Sequence, residues 1–556
     1  MLIQTPTALA CPICGCSIDP AVARLSRQIE ARTAEALRSL DPGWKIGDDA
    51  CPECVQRAVQ VLRGQRSRAS VHGALGLSYP VYAHAEAQLL PTPTRLVANP
   101  HYAGRGLTLA FLDSGYYPHP DLTQPANRIK AYVDATLADP VQKVHYKRAE
   151  ATSWHGLMTT SVAAGNGRQS NGLYRGLAFE ASLVLVKTGN RRGRRIPDRD
   201  IVRALRWVVD HRAEYDIRVV NISLGGDVAS SGAYTPLDSL VEEAVAGGLV
   251  VVAAAGNGGV NQIIPPASAP SAITVGGLDD QNSLDPRFHR MWRSSYGRGV
   301  NQVLKPEVIA PAIWVAAPML PRTWVHNEAV LLWRLQGASD RELNRFLKTK
   351  RAEAHFKQET LRLPLDEIRG TIRRRITEQK YIHPDYQHVD GTSMAAPIVT
   401  SVVAQMLEAN PTLPPQTVKD LLLGTAGQLP FVPRAEQGQG VISAARAVAA
   451  ALRQPGGALR GLPVSPHVTA QSVTFVAHLP GAREVALVAR FNHWQPAEHP
   501  LREMRPGVWQ VRVPTPPEGQ YAYKFLVDGE RWIHDVENPA RIEDGAGSFH
   551  SLLLLN

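Results

Sequence analysis

Four near-continuous apolar runs, Gly106–Leu112, Ser182–Lys187, Arg218–Leu224 and Leu249–Ala255, alternate with amphipathic stretches such as Ile201–His211 and Pro236–Ala246. Strands that are apolar along their length are buried on both faces, and the helices between them supply the cover. This rhythm therefore requires an α/β fold, a parallel sheet with helices on both faces. It runs over about residues 98–452 of the 556-residue chain. In such a sheet, groups that do chemistry collect where strands end and loops or helices begin.

The rest of the chain has a different texture. Residues 1–70 hold all five cysteines and two helical stretches. After a Pro/Gly-rich connector, Gln454 to Pro466, residues 467–556 are rich in Val, Tyr, Phe and Trp with turn residues at short intervals, the pattern of an all-β module. A chain this long exceeds what one core serves, so several domains are expected.

Three residues occupy element ends within the sheet region. Asp113 closes the apolar run Leu107–Leu112 and is followed by Ser114-Gly115. His155 heads a stretch of helical character, His155 to Ala164, with a glycine beside it. Ser393 lies in Gly391-Thr392-Ser393-Met394-Ala395-Ala396-Pro397, at the entry to an apolar helix, where proline in the first turn is tolerated. A serine hydroxyl is a poor nucleophile until an imidazole takes its proton, and the imidazole needs a carboxylate to fix its tautomer. The order Asp, His, Ser separates this arrangement from the chymotrypsin and α/β-hydrolase orders.

With Ala253-Ala254-Ala255-Gly256-Asn257, these segments resemble the four signature blocks of the subtilase family. The resemblance implies a subtilisin-like serine endopeptidase with Asp113, His155 and Ser393 as its triad. It makes Asn257 the side-chain donor of an oxyanion hole, beside the backbone N–H of Ser393. It gives Ser223, Leu224 and Gly225 to pairing with an extended protein or peptide substrate, and Ala254 and Gly256 to the primary specificity pocket. Asp121, in His119-Pro120-Asp121-Leu122, matches a family carboxylate that often ligates calcium.

Two departures stand out. Leu157 follows His-Gly where the family usually has threonine, and some seventy residues separate Ala317-Pro318 from Asp390-Gly391. Much of this insertion, about 320–385, is charged and reads as helical over Asp340–Lys350 and Leu365–Gln379, with a basic cluster at Arg373, Arg374 and Arg375. A solvated face and a lid or docking element both suit that pattern.

Cys11-Pro12-Ile13-Cys14 and Cys51-Pro52-Glu53-Cys54 are two CxxC knuckles. Four thiolates in that arrangement suit one structural zinc, with Cys16 as a substitute ligand, giving a small Cys-rich amino-terminal module. Cysteines confined to one end suit a reducing compartment. No basic residue precedes an apolar run near the start, the first being Arg24, so a secretory signal is not expected and the protein is read as cytoplasmic. The longest uncharged apolar stretch, Ala244 to Gly256, is too short to span a membrane. The net charge of +10 is spread over several segments, which argues against a nucleic-acid partner.

In the last region, the segments Phe491-Asn492-His493-Trp494, Gly507-Val508-Trp509 and Tyr521 to Gly529 resemble the glycogen-binding module of the isoamylase amino-terminal type, an immunoglobulin-like β-sandwich. The resemblance implies that Trp494 and Trp532 stack on α-glucan, that Lys524 donates to a hydroxyl, and that His550 stands where the family often has asparagine. Trp509, Tyr521 and Phe525 read as sandwich core. The whole chain thus reads as an intracellular endopeptidase targeted to or regulated by α-glucan. The alternatives are a catalytically silent glucan-binding scaffold and a protease activated by a partner.

Overall fold

Alternating side chains of the strand Thr108–Asp113 (β1) show how the sheet is built. Leu109 and Phe111 point into one apolar core, and Ala110 and Leu112 into the other. This computed structural model describes residues 89–555, apart from short stretches at 139, 143–149, 151, 190–195, 226–231 and 545–548, and a two-strand ladder near the amino terminus. The chain divides into two compact units, Met1–Gln88 and Leu89–Asn556. In the first, Leu9–Ala10 pairs antiparallel with Ser17–Ile18.

In the second unit a short helix, α1 (Pro120–Thr123), follows β1, and then come β2 (Ile129–Asp134), α2 (Ser153–Ala164), β3 (Ser182–Lys187) and α3 (Asp198–Tyr215). Next are β4 (Ile217–Ile222), α4 (Pro236–Ala246), β5 (Val250–Ala254), β6 (Ile273–Asp279) and β7 (Val308–Pro311). These strands form a parallel sheet in the order β7-β6-β5-β4-β1-β3-β2, with short antiparallel strands at its edges. Helices α3 and α4 cover one face. The other is covered by α2 and by two helices from further along the chain. β1 lies centrally, between strands that leave in opposite directions, so its carboxyl end opens into the crevice expected of such sheets.

The insertion begins after β8 (Val315–Pro318) and contains α5 (Trp324–Gly337), α6 (Asp340–Lys350) and α7 (Leu365–Glu378). The sequence signals the last two helices. The first escapes it because its apolar residues merge with the preceding strand pattern. These helices share a core of their own, formed by Leu332, Leu335, Leu343, Leu347, Ile368 and Ile372 among others. The expected basic cluster is divided: Arg373 and Arg374 are exposed, while Arg375 turns inward to Glu328 and to the Ala354 carbonyl. A hairpin then returns the chain through β9 (Tyr381–His383) and β10 (Tyr386–Val389), and β10 pairs with β8. α8 (Thr392–Ala409) follows at once and packs on α2, and α9 (Ala444–Arg453) packs on α8.

The carboxy-terminal region is a sandwich of two antiparallel sheets. Its main strands are β11 (Ser472–His478), β12 (Val485–Ala489), β13 (Val508–Pro514), β14 (Gly519–Val527), β15 (Arg531–Ile533) and β16 (Phe549–Leu555). Trp509 and Phe525 lie in the core between the sheets, with Tyr521 packed against it. The sandwich adjoins the α/β layers directly. Val476 and Val508 join the same apolar cluster as Leu452 and Leu459, and Arg453 on α9 pairs with Glu537. Among the described residues, no helix is long and apolar enough to cross a membrane.

Candidate active site

Burial at the carboxyl end of β1 leaves Asp113 without solvent, so its oxygens must find protein donors. Oδ1 accepts from the backbone N–H of Ser114 at 2.7 Å and Oδ2 from Thr159 Oγ1 at 2.9 Å. His155 Nδ1 lies 2.8 Å from Oδ1 and 3.0 Å from Oδ2. Thr159 stands four residues after His155 on α2, on the same helix face, which is why both reach one carboxylate. Burial presses the His155 imidazole down, but the charge of Asp113 and its hydrogen bond outweigh that and hold its pKa above the ordinary value.

Gly156 makes this approach feasible. A Cβ there would lie 2.2 Å from the Gly115 carbonyl oxygen, so only glycine lets α2 sit against the turn after β1. The replacement at Leu157 is accommodated by packing, since its side chain is fully buried in the main core. Trp154 lies on the open side with its ring edge-on to His155, the centroids 5.2 Å apart.

Ser393 lies in the first turn of α8, and its Oγ donates to the Ser223 carbonyl at 3.3 Å. No His155–Ser393 hydrogen bond is formed in this arrangement. Pro397 falls in the second helical turn rather than the first, as the sequence had suggested. Having no N–H, it leaves the Ser393 carbonyl without its helical partner, and Ser223 Oγ donates to that carbonyl at 3.0 Å instead. Ser223 therefore braces the helix entry. β4 ends just before it, with Leu224 half-buried and Gly225 exposed beyond.

Asn257 is exposed, and its Oδ1 accepts from both the N–H and the Oγ1 of Thr392, each at 2.9 Å. Fixing the oxygen in this way directs the Nδ2 donor elsewhere. Gly391 (φ +136°) shows where, since a Cβ at that position would lie 3.6 Å from Asn257 Nδ2 and 3.7 Å from the Ser393 nitrogen. The missing side chain leaves a space between two convergent donors, one of them an N–H at a helix start with no intrahelical partner. Thr392 Oγ1 also accepts from the Gly256 N–H at 3.1 Å, and Ala254 ends β5 beside it. Thr159 and Thr392 were not singled out from sequence. Each is a hydroxyl two or fewer turns from a recognisable residue, and only the folded spacing reveals its partner.

Asp121 is fully buried. Its Oδ2 accepts from Tyr386 OH at 2.5 Å and its Oδ1 from the Gln169 N–H at 3.2 Å. Calcium requires several acceptor oxygens around it. Both hydrogen bonds that the Asp121 oxygens accept come from protein donors, so in this arrangement its charge is met without a cation. Among the described residues, no group of three or more His, Cys, Asp or Glu side chains is arranged to hold a metal ion. Cys11, Cys14, Cys51 and Cys54 lie outside the described residues.

On the sandwich, the rings of Trp494 and Trp532 are tilted at 50° with centroids 6.3 Å apart, and His550 lies 5.2 Å from Trp494. Trp494 follows His493 in a turn where both residues have left-handed backbones, braced by the buried Asn492 amide. Lys524 departs from expectation. It is nearly buried, with its ammonium 2.6 Å from Asp544, so it faces a carboxylate rather than solvent.

A parallel sheet with Asp113, His155, Asn257 and Ser393 brought to one end defines a subtilisin-like α/β protein. The chain belongs to the subtilase family, which matches residues 104–441, and carbohydrate-binding module 48 (isoamylase N-terminal domain) matches residues 461–541. Among curated relatives, it is 30% identical to "Serine protease AprX" of Bacillus subtilis (strain 168) over 329 residues, 57% of this chain and 61% of that protein. It is 31% identical to the "Thermophilic serine proteinase" of Bacillus sp. (strain AK1) over 37% of this chain and 44% of that one. It is 28% identical to "Subtilisin E" of Bacillus subtilis (strain 168) over 43% of this chain and 56% of that one. The chain thus spans less than two thirds of the length of these relatives. A solved protease of Pseudoalteromonas arctica superposes with a TM-score of 0.42 at 20% identity, covering 65% of this chain and 94% of that one.

Proposed function

We propose that this chain is a serine endopeptidase acting through Asp113, His155 and Ser393, with its carboxy-terminal module engaging α-glucan. The observation that carries the reading is the imidazole of His155 held by a buried, donor-saturated Asp113 at the sheet end where Ser393 and Asn257 also lie. A turn about χ1 takes the Ser393 hydroxyl from the Ser223 carbonyl towards His155. Nε2 then accepts its proton as Oγ attacks the peptide carbonyl, and Asp113 stabilises the imidazolium that results. Asn257 Nδ2 and the Ser393 N–H receive the developing oxyanion. His155 returns the proton to the leaving amine, and water repeats the sequence to hydrolyse the acyl-enzyme. Ser223 to Gly225 would pair with substrate backbone, and Ala254 and Gly256 would line the primary pocket.

The test is labelling by a fluorophosphonate probe in the full chain and in Ser393→Ala. Labelling that disappears in the variant is the expected result. A wild-type chain that is folded yet unlabelled, with or without glycogen, would reject the enzyme reading in favour of a silent scaffold.

Support for glucan binding comes from two angled tryptophans on a module of the carbohydrate-binding 48 type, since aromatic faces pack on the apolar C–H faces of glucose. Retention on glycogen lost in Trp494→Ala and Trp532→Ala is the outcome expected. A structural zinc on the four cysteines and a cytoplasmic location rest on cysteine spacing and distribution. Metal analysis of the purified chain and cell fractionation test them.

A further inference from the structure

We propose that Tyr386 stands in for a cation at Asp121 and, through β10, positions the loop that carries Ser393. A buried carboxylate is costly unless its charge is met by donors or a metal. Here the strand that returns the chain from the insertion supplies the donor. Tyr386 opens β10 and gives its hydroxyl to Asp121 Oδ2 at 2.5 Å, across 265 residues of sequence. The backbone N–H of Gln169 takes Oδ1, and His119 Nδ1, 3.6 Å from Oδ1, accepts from the Asp121 N–H.

The same corner is reinforced from the insertion side. Asp385, beside Tyr386, lies 2.9 Å from His326 Nε2 on α5, and its N–H donates to His383 Nδ1. The Tyr386 ring packs against Tyr174 with centroids 5.4 Å apart. From this anchor β10 runs four residues to Val389, paired with β8 throughout. Lys380 then holds Asp390 at 2.5 Å, the Gly391 N–H donates to the Ala312 carbonyl, and Thr392 meets Asn257. One short strand thus joins the helix after Asp113 to the turn before Ser393. The insertion, which a shorter connection would lack, acts as a strut rather than an appendage.

The role assigned to Ser393 affects only the turnover part of the test, because thermal stability needs no activity. In Tyr386→Phe, the thermal midpoint of the full chain should fall by roughly 3–10 °C as Asp121 loses a buried donor. Turnover should fall about tenfold with the KM of a short substrate little changed, because Ser393 is displaced while the binding strand is untouched. Adding Asp121→Asn to Tyr386→Phe should restore part of the midpoint, since an amide is less costly than a charge to leave without that donor. Titration with calcium and with a chelator should shift the midpoints of wild type and Asp121→Asn equally. A calcium-dependent rise present in wild type and absent in Asp121→Asn would overturn the proposal, as would a Tyr386→Phe protein with wild-type midpoint and turnover.

Discussion

In the proposed mechanism, Asp113 and His155 set the pH range in which the site can work. The base must be neutral to accept a proton, so activity is lost as pH falls through the His155 pKa, which Asp113 holds above the usual 6.5 despite burial. In Asp113→Asn both the charge and its hydrogen bond to the imidazolium are lost and burial acts alone. The acid limb of the kcat/KM profile should then move to lower pH while the maximum collapses. An unmoved limb would show that another group controls it. If Asn257 is the oxyanion donor proposed above, Asn257→Ala removes a bond formed only as charge develops, so turnover should drop about 100- to 1000-fold with KM nearly constant, a magnitude established on subtilisin. Steady-state kinetics separate the two constants. The positions of Asp113 and His155 were legible because each closes or opens an element whose apolar pattern is plain, whereas Asn257 was reached only through the family resemblance. Thr159, Thr392 and the inward Lys524 were not, because a hydroxyl or ammonium on a strand or helix says nothing of which distant group it will meet.

At the scale of elements, the entry to α8 is held by a compensation between two residues 174 positions apart. Pro397 deprives the Ser393 carbonyl of its helical bond, and Ser223 Oγ replaces it at 3.0 Å. Ser223→Ala alone should cost about 1–2 kcal/mol by leaving that carbonyl without a donor. Pro397→Ala restores an N–H to the helix, so Ser223→Ala should cost much less in that background. Chemical denaturation of the four proteins measures the coupling, and strict additivity would contradict it. The sequence made α8 and its apolar face clear but suggested that the proline was harmless, because the helix start is set by Gly391 and Asn257, which only the fold brings together. The insertion was likewise half legible. Amphipathic spacing marks α6 and α7, whereas the strut at Tyr386 depends on a contact with α1 that no local pattern encodes.

For the molecule as a whole, the joint between the α/β layers and the sandwich is where ionisation and stability meet. Tyr102 hydrogen-bonds His478 across it, Arg453 pairs with Glu537, and Ser465 Oγ donates to Asp535 at 2.6 Å. His101, His478 and His534 line one small cavity there. Burial, aided by nearby cationic groups, lowers their pKa values to about 4, 4 and 3. Burial, aided by Glu537, raises Asp535 to about 7. Between roughly pH 4 and 6.5 the unfolded chain binds up to three more protons on the histidines, whereas the folded chain binds up to one more on Asp535. The histidines prevail, so stability should rise with pH across that window, with a limiting contribution of about 2.7 kcal/mol per pH unit from two net protons. From about pH 7 the last histidine protons of the unfolded chain and the Asp535 proton of the folded chain are lost together, so their slopes oppose each other and the net effect fades by about pH 8. Urea denaturation of residues 89–556 within the full chain, followed from pH 4.5 to 8, reads that slope. His534→Gln should reduce it by about one proton and Asp535→Asn should increase it by about one. Because Val476 and Val508 belong to the same core as Leu452 and Leu459, both changes should move a single shared transition. Two separate transitions, with only the sandwich responding to pH, would mean that the module is tethered rather than fused, and glucan bound at Trp494 would then have no rigid path to Ser393.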